Sequence, residues 1–125
     1  MGIYVNPGNI AFQEAINSII YVDKSELISY TNRMMSTMQK HICVSRPRRF
    51  GKSMAADMLA AYYSRGCDSG SLFAGKKAEK GEAFRAHLNK HNVIRLDVQQ
   101  FLFQESHLNI FVEKLFRYSE LKLAN

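Results

Sequence analysis

Residues 45–53 read SRPRRFGKS, and the last three of them, Gly51, Lys52 and Ser53, are the types that close a Walker A element, GxxxxGK[ST]. In that element backbone amides and the positive end of the following helix surround a β-phosphate. The lysine bridges the β and γ oxygens, and the hydroxyl joins a magnesium shell. Here the first glycine is replaced by Arg46, followed by Pro47. Glycine turns a chain there without a Cβ, and proline turns it instead by restricting φ. Arg48, Arg49 and Phe50 complete the stretch before Gly51. These residues alone leave three readings open: nucleotide phosphates, the backbone phosphates of a nucleic acid, and a loop whose arginines are solvated or paired with carboxylates.

A phosphate loop requires a strand before it and a helix after it. The run ICV, residues 42–44, is a short buried-strand candidate, with Cys43 as a small core residue. After the loop, KSMAADMLAAYYSRG is rich in helix formers, sets Met54, Met58, Leu59 and Tyr62 on one face, and meets Gly66 where a stop is expected. Upstream, NPGN is a turn signal, and Asn9 is placed to cap a short helix through Phe12, Ala15 and Ile16. IIYV, residues 19–22, is β-prone. Ser25 is placed to cap a helix through Glu26, Leu27, Ile28, Tyr30 and Met34. Downstream, EAFRAHLNKH predicts a helix and VIRLDV, residues 93–98, a strand. Residues 108–123 predict an amphipathic helix through Ile110, Phe111, Leu115 and Tyr118. Alternating helices and strands predict an α/β fold, a parallel sheet flanked by helices.

The length of 125 residues allows one modest core. The net charge of +6 is unevenly placed: residues 41–95 hold eleven basic and four acidic side chains, and the two flanking segments nearly balance. That concentration favours an anionic ligand near the arginine-rich loop. No apolar run approaches the roughly 20 residues that span a bilayer, and the first residues lack a signal-peptide pattern, so a soluble cytoplasmic protein is expected. Cys43 and Cys67 are in no paired ligand spacing and read as reduced thiols. His87 and His91 stand four apart, a spacing able to grip a metal from one helix face, yet without a third ligand the solvated-face reading is preferred. Tyr62, Tyr63, Phe101, Phe103, Phe111 and Phe116 could stack bases, but helical and strand spacing favours the core.

Two segments together carry a family resemblance. YVDKSELI, residues 21–28, followed by RPRRFGKSMAADMLAAYY, residues 46–63, resembles the opening of the bacterial AAA-ATPase-like proteins, P-loop ATP-binding proteins with a YVDK segment upstream of a PRRFGKS loop. NPGNIAFQEA and CDSGSLFAG extend the match over nearly the whole chain. The resemblance implies that Arg46 is normal at the first motif position. It also implies that Gly51, Lys52 and Ser53 contact ATP phosphate and Mg2+, with Ser53 at the metal and Arg46, Pro47, Arg48, Arg49 and Phe50 forming the rest of the loop. Asp23 and Lys24 match the upstream signature without a role that chemistry alone supplies, although an aspartate there could cap the next helix.

A complete P-loop ATPase also needs a Walker B aspartate closing an apolar strand. Asp97 in VIRLD is the candidate here. It follows a run interrupted by Arg95 and precedes Val98, so an ordinary strand-end aspartate is the preferred reading. In the similar family the Walker B strand comes later than this chain extends, often with a nuclease-like PD-(D/E)XK domain beyond it. The chain is therefore expected to be the N-terminal portion of such a P-loop domain, residues 1–125, with an incomplete sheet and without a convincing Walker B to support hydrolysis by itself. Two functions follow as expectations: an ATP-binding unit dependent on Lys52 and Ser53, or a basic module holding nucleic-acid backbone, with steep salt dependence spread over many cations. A longer protein could combine both.

Overall fold

The computed structural model of the chain describes residues 5–45 and 51–97. The chain divides into two units, Met1–Arg95 and Leu96–Asn125, and of the second only Leu96 and Asp97 are described. In the first unit the helices are α1 (Ile10–Ile16), α2 (Glu26–Met34), α3 (Lys52–Tyr63) and α4 (Phe84–His87), with two 3-10 turns, Gly70–Phe73 and Lys77–Lys80, before α4.

Aromatic side chains form the interior. Phe12 from α1, Tyr62 from α3, Phe73 from the first 3-10 turn and Phe84 from α4 are all buried, with Ile28, Met58, Ala61 and Ala78 completing the cluster. Phe12 stacks on Phe73 with ring centroids 5.1 Å apart, and Tyr62 meets Phe73 edge-on at 5.8 Å and Phe84 at 5.2 Å. Each buried aromatic contributes about 1.5–3 kcal/mol by leaving water, and pairs in these geometries add about 0.5–1.5 kcal/mol. Tyr62 keeps its hydroxyl satisfied by donating to the Phe84 carbonyl at 2.6 Å and accepting from the Asn32 amide at 3.0 Å. Tyr63 pairs with the Thr31 hydroxyl at 2.7 Å, and burial pushes its phenol up to about 12.

The C-terminal end of α3 is closed by one side chain and the backbone around it. Asn89, at φ 54°, donates from Nδ2 to the carbonyls of Ala61 and Ser64 at 3.0 and 2.8 Å, and its backbone amide donates to Tyr62 O at 2.7 Å. The His91 amide donates to Tyr63 O at 2.9 Å. These bonds satisfy carbonyls that a helix end otherwise leaves without partners. The helix ends as Ser64 turns extended, and Gly66 takes the left-handed φ of 85° two residues later.

The expected parallel sheet is absent from the described residues, which are helical and irregular and contain no strand. The pairing they do show is two isolated bridges, Val5 with Ile94 and Ser64 with His91. Residues 19–22 and 42–44 are coil, and apart from Tyr21, which packs against the core, their apolar side chains face solvent, with Ile19 fully exposed, Ile20 81% exposed and Val44 48% exposed. Of the predicted strand at 93–98, residues 93–97 are coil apart from the single bridge at Ile94, and Val98 lies outside the described residues. The physical reason is that a short apolar run has strand propensity only with a neighbour to pair and pack against. Here the aromatic cluster takes over burial, and of these runs it takes up Tyr21 while Ile19, Ile20, Val22, Ile42 and Val44 stay exposed. Cys43 is accordingly exposed, not a core residue.

Candidate functional site

The candidate site is the N-terminal end of α3. Gly51 occupies the N-cap position at φ 84° and ψ 21°, a left-handed conformation that residues with a Cβ adopt at a cost. Its carbonyl accepts the first helical bond from the Ala55 amide at 2.9 Å. A glycine cap has no side chain to accept from the first-turn amides, and no acidic residue stands in that turn. Lys52 and Ser53 are exposed there. The helix that presents them is anchored further along by Met58, Ala61 and Tyr62, and by the ion pair of Asp57 with Arg95. Residues Arg46, Pro47, Arg48, Arg49 and Phe50 lie outside the described residues.

The upstream segment YVDKS reaches the same place. Tyr21 packs edge-on against Phe12 at 6.2 Å, with the Lys76 ammonium 5.3 Å over its ring. Burial, then the Asp23 charge, pushes the Tyr21 phenol up. Asp23 accepts through Oδ1 from the Ser25 amide and through Oδ2 from the Lys77 amide, both at 2.9 Å. Burial alone would raise its carboxyl. Hydrogen bonds from the Ser25 hydroxyl and from the Lys77 and Ser25 amides, with the Lys76 charge, outweigh that and hold it below its ordinary value. Ser25 is fully buried, and its Oγ accepts from the Ala78 amide at 2.9 Å. Between these two anchored residues, Lys24 places its Nζ 2.6 Å from the position a Cβ would take on Gly51.

Two capping expectations change accordingly. Asn9 and Ser25 do stand at the N-caps of α1 and α2, but neither side chain caps its helix. Asn9 donates to the Asp68 carbonyl and the Ser69 hydroxyl, while Ser25 serves the amide of Ala78. Asp23 likewise accepts from the amide of the cap residue Ser25 and from that of Lys77.

The geometry thus unites the two segments that carried the sequence signature, one supplying Gly51, Lys52 and Ser53 and the other Lys24. A family model described as a predicted AAA-ATPase matches residues 8–123. The chain belongs to the AAA-ATPase-like family. No curated protein and no solved structure matches it significantly.

Other candidates in this AAA-ATPase-like chain fall elsewhere. His87 ends α4, and His91 lies beyond it, so the two do not share a helix face. Their rings stack at 5.1 Å, with His87 Nδ1 and His91 Nε2 2.9 Å apart in one hydrogen bond. Both are partly buried, which replaces the solvated-face reading with a packed pair. Burial, then the charges of His87 and Arg65, lowers the His91 value. Among the described residues no group of three or more His, Cys, Asp or Glu is placed to hold a metal. Cys43 and Cys67 are free thiols. Tyr62 is core, as its spacing indicated, while Phe101, Phe103, Phe111 and Phe116 lie outside the described residues. Asp97 is exposed at the start of the second unit, in coil and not at a strand end. No helix among the described residues is long and apolar enough to cross a membrane.

Proposed function

We propose that this chain binds the phosphates of ATP, with Mg2+, at the N-terminal end of α3. The observation that carries the reading is Gly51 in the left-handed N-cap conformation, directly followed by an exposed lysine and an exposed hydroxyl. Family membership supports the same assignment at a coarser level. The aligned peptide dipoles of the 12-residue helix favour negative charge at this end. Lys52 would neutralise phosphate oxygens and Ser53 would supply one oxygen to the metal, whose role is to screen the polyphosphate charge. Arg46, Pro47, Arg48, Arg49 and Phe50 would complete the loop, as the family resemblance implies. The site needs no sheet edge: a helix end anchored by the aromatic core through Met58 and Tyr62 supplies the rigid platform.

Titration of a fluorescent ATP analogue with Mg2+ tests the reading. Saturable binding is expected in the natural chain and in the double variant Arg48→Ala with Arg49→Ala, and at least tenfold weaker binding in Lys52→Ala. Loss in the arginine variant with retention in Lys52→Ala, together with a steep salt dependence, would favour nucleic-acid backbone as the ligand instead.

A further inference from the structure

We infer that His87 and His91 form a pH-sensitive latch on the C-terminal end of α3, closed while the two rings share at most one extra proton and opened when both are charged. His87 Nδ1 and His91 Nε2 stand 2.9 Å apart in one hydrogen bond. Such a bond needs a hydrogen on one nitrogen and a lone pair on the other. The neutral pair meets that need. So does the pair with one extra proton, in which the bond is charge-assisted and stronger. A second proton puts a hydrogen on both facing nitrogens, and the bond becomes a contact of like charges that drives the rings apart. One proton tightens the pair and two break it.

The pair spans the turn that closes α3. Between the two histidines Asn89 bonds Tyr62 O through its amide and the carbonyls of Ala61 and Ser64 through its side chain. His91 continues the closure: its amide donates to Tyr63 O at 2.9 Å and its carbonyl accepts from the Arg65 amide at 3.0 Å, in a bridge with Ser64. His87 ends α4, which Phe84 anchors in the aromatic cluster, so the bond between the rings fastens the closing segment to an element held by the core. The groups around it do not welcome a second charge. The Tyr63 ring meets His91 edge-on at 5.5 Å, and burial pushes its phenol up to about 12, so it stays neutral while histidine titrates. Burial, then the charges of His87 and Arg65, oppose a proton on His91. Arg85 on α4 and Lys90 in the turn add positive charge to the same elements, and Arg95 beyond them is paired with Asp57.

NMR titration of the natural chain from pH 7.5 to pH 4.5, with amide exchange measured across the same range, tests this; His87→Phe and His91→Phe assign the ring signals. The two rings are expected to titrate as a coupled pair in two separated steps. Across the lower step the protection factors of the Arg65, Asn89 and His91 amides should fall at least tenfold, while that of Met58 in the buried part of α3 holds. His87→Phe keeps a ring that neither donates nor accepts, so its protection factors at these three amides should be the same at both ends of the range. Two rings that charge together, as independent histidines do, would overturn the latch. So would a lower step with unchanged protection, since the His91 ring would then swing out without releasing the closure. Loss of protection at Met58 together with the three amides would make the event global unfolding and overturn it too. A fall of the same size in His87→Phe would place the cause outside the pair, with the same result.

Discussion

At its C-terminal end α3 buries Met58, Ala61 and Tyr62 and closes its carbonyls on Asn89 and His91. At its N-terminal end the same helix starts on a glycine, exposes Lys52 and Ser53, and meets the ammonium of Lys24. One end is held by dispersion and by hydrogen bonds to its last carbonyls, the other presents charges at a distance from the core. The contrast shows how a small unit can carry a polar site without burying it: rigidity is made at one end of a helix and used at the other, about 18 Å away for 12 residues. Asp23 and Ser25 perform the same service for Lys24, since they transmit the core's rigidity through the amides of Lys77 and Ala78.

If that division holds, truncation at the packed end costs stability and truncation at the polar end does not. Phe73→Ala should cost about 3–5 kcal/mol, because its ring touches Phe12, Tyr62 and Phe84. Lys52→Ala should stay within about 0.5 kcal/mol by chemical denaturation. A small cost for Phe73→Ala would end the comparison. Asn89→Ala should cost about 2–3 kcal/mol, since it strips bonds from Ala61, Ser64 and Ser69 and leaves a residue with a Cβ at φ 54°. The same denaturation series measures it.

Smaller effects sharpen the polar end. Asp23→Ala should cost about 1–2 kcal/mol by removing the carboxylate bonds to Ser25 and Lys77. Because folding lowers the Asp23 value, its contribution is complete above the unfolded value of 3.8 and disappears as pH falls through the folded one. The acid limb of a stability–pH curve should therefore flatten in Asp23→Ala, and an unchanged limb would remove Asp23 as its source. Gly51→Ala should cost about 1 kcal/mol through its left-handed φ of 84°, read in the same denaturation series. The smallest effect belongs to His91, whose lowered value means stability present above its ordinary 6.5 and lost as pH falls below it. His91→Phe should remove that dependence in melts between pH 7 and pH 5.

The helices were the legible part of the fold. KSMAADMLAAYY forms α3 as its composition indicates, and α1 and α2 begin where Asn9 and Ser25 mark them. The strands were not legible, because IIYV, ICV and VIRLDV say only that they suit a sheet and nothing about a partner. The helix expected over EAFRAHLNKH shortens to Phe84–His87 once Asn89 leaves helical geometry to bond the end of α3. Of the candidate site, Gly51, Lys52 and Ser53 could be read from spacing. The approach of Lys24 could not, although its place in YVDKS beside the Asp23 and Ser25 acceptors was the available signal.

The sequence by itself determined the chemistry on offer: a glycine, a lysine and a hydroxyl in the order that opens a helix, reduced thiols, and positive charge gathered around the loop. Those are properties of neighbouring residues, and local sterics and propensity suffice to express them. The tertiary structure alone decided that the apolar runs apart from Tyr21 stay outside the core, that Ser25 and Asp23 serve amides more than fifty residues away, and that Lys24 meets Gly51. Each of these depends on which distant groups share a neighbourhood once Phe12, Tyr62, Phe73 and Phe84 have packed, and burial, being non-directional, leaves no local mark of that choice.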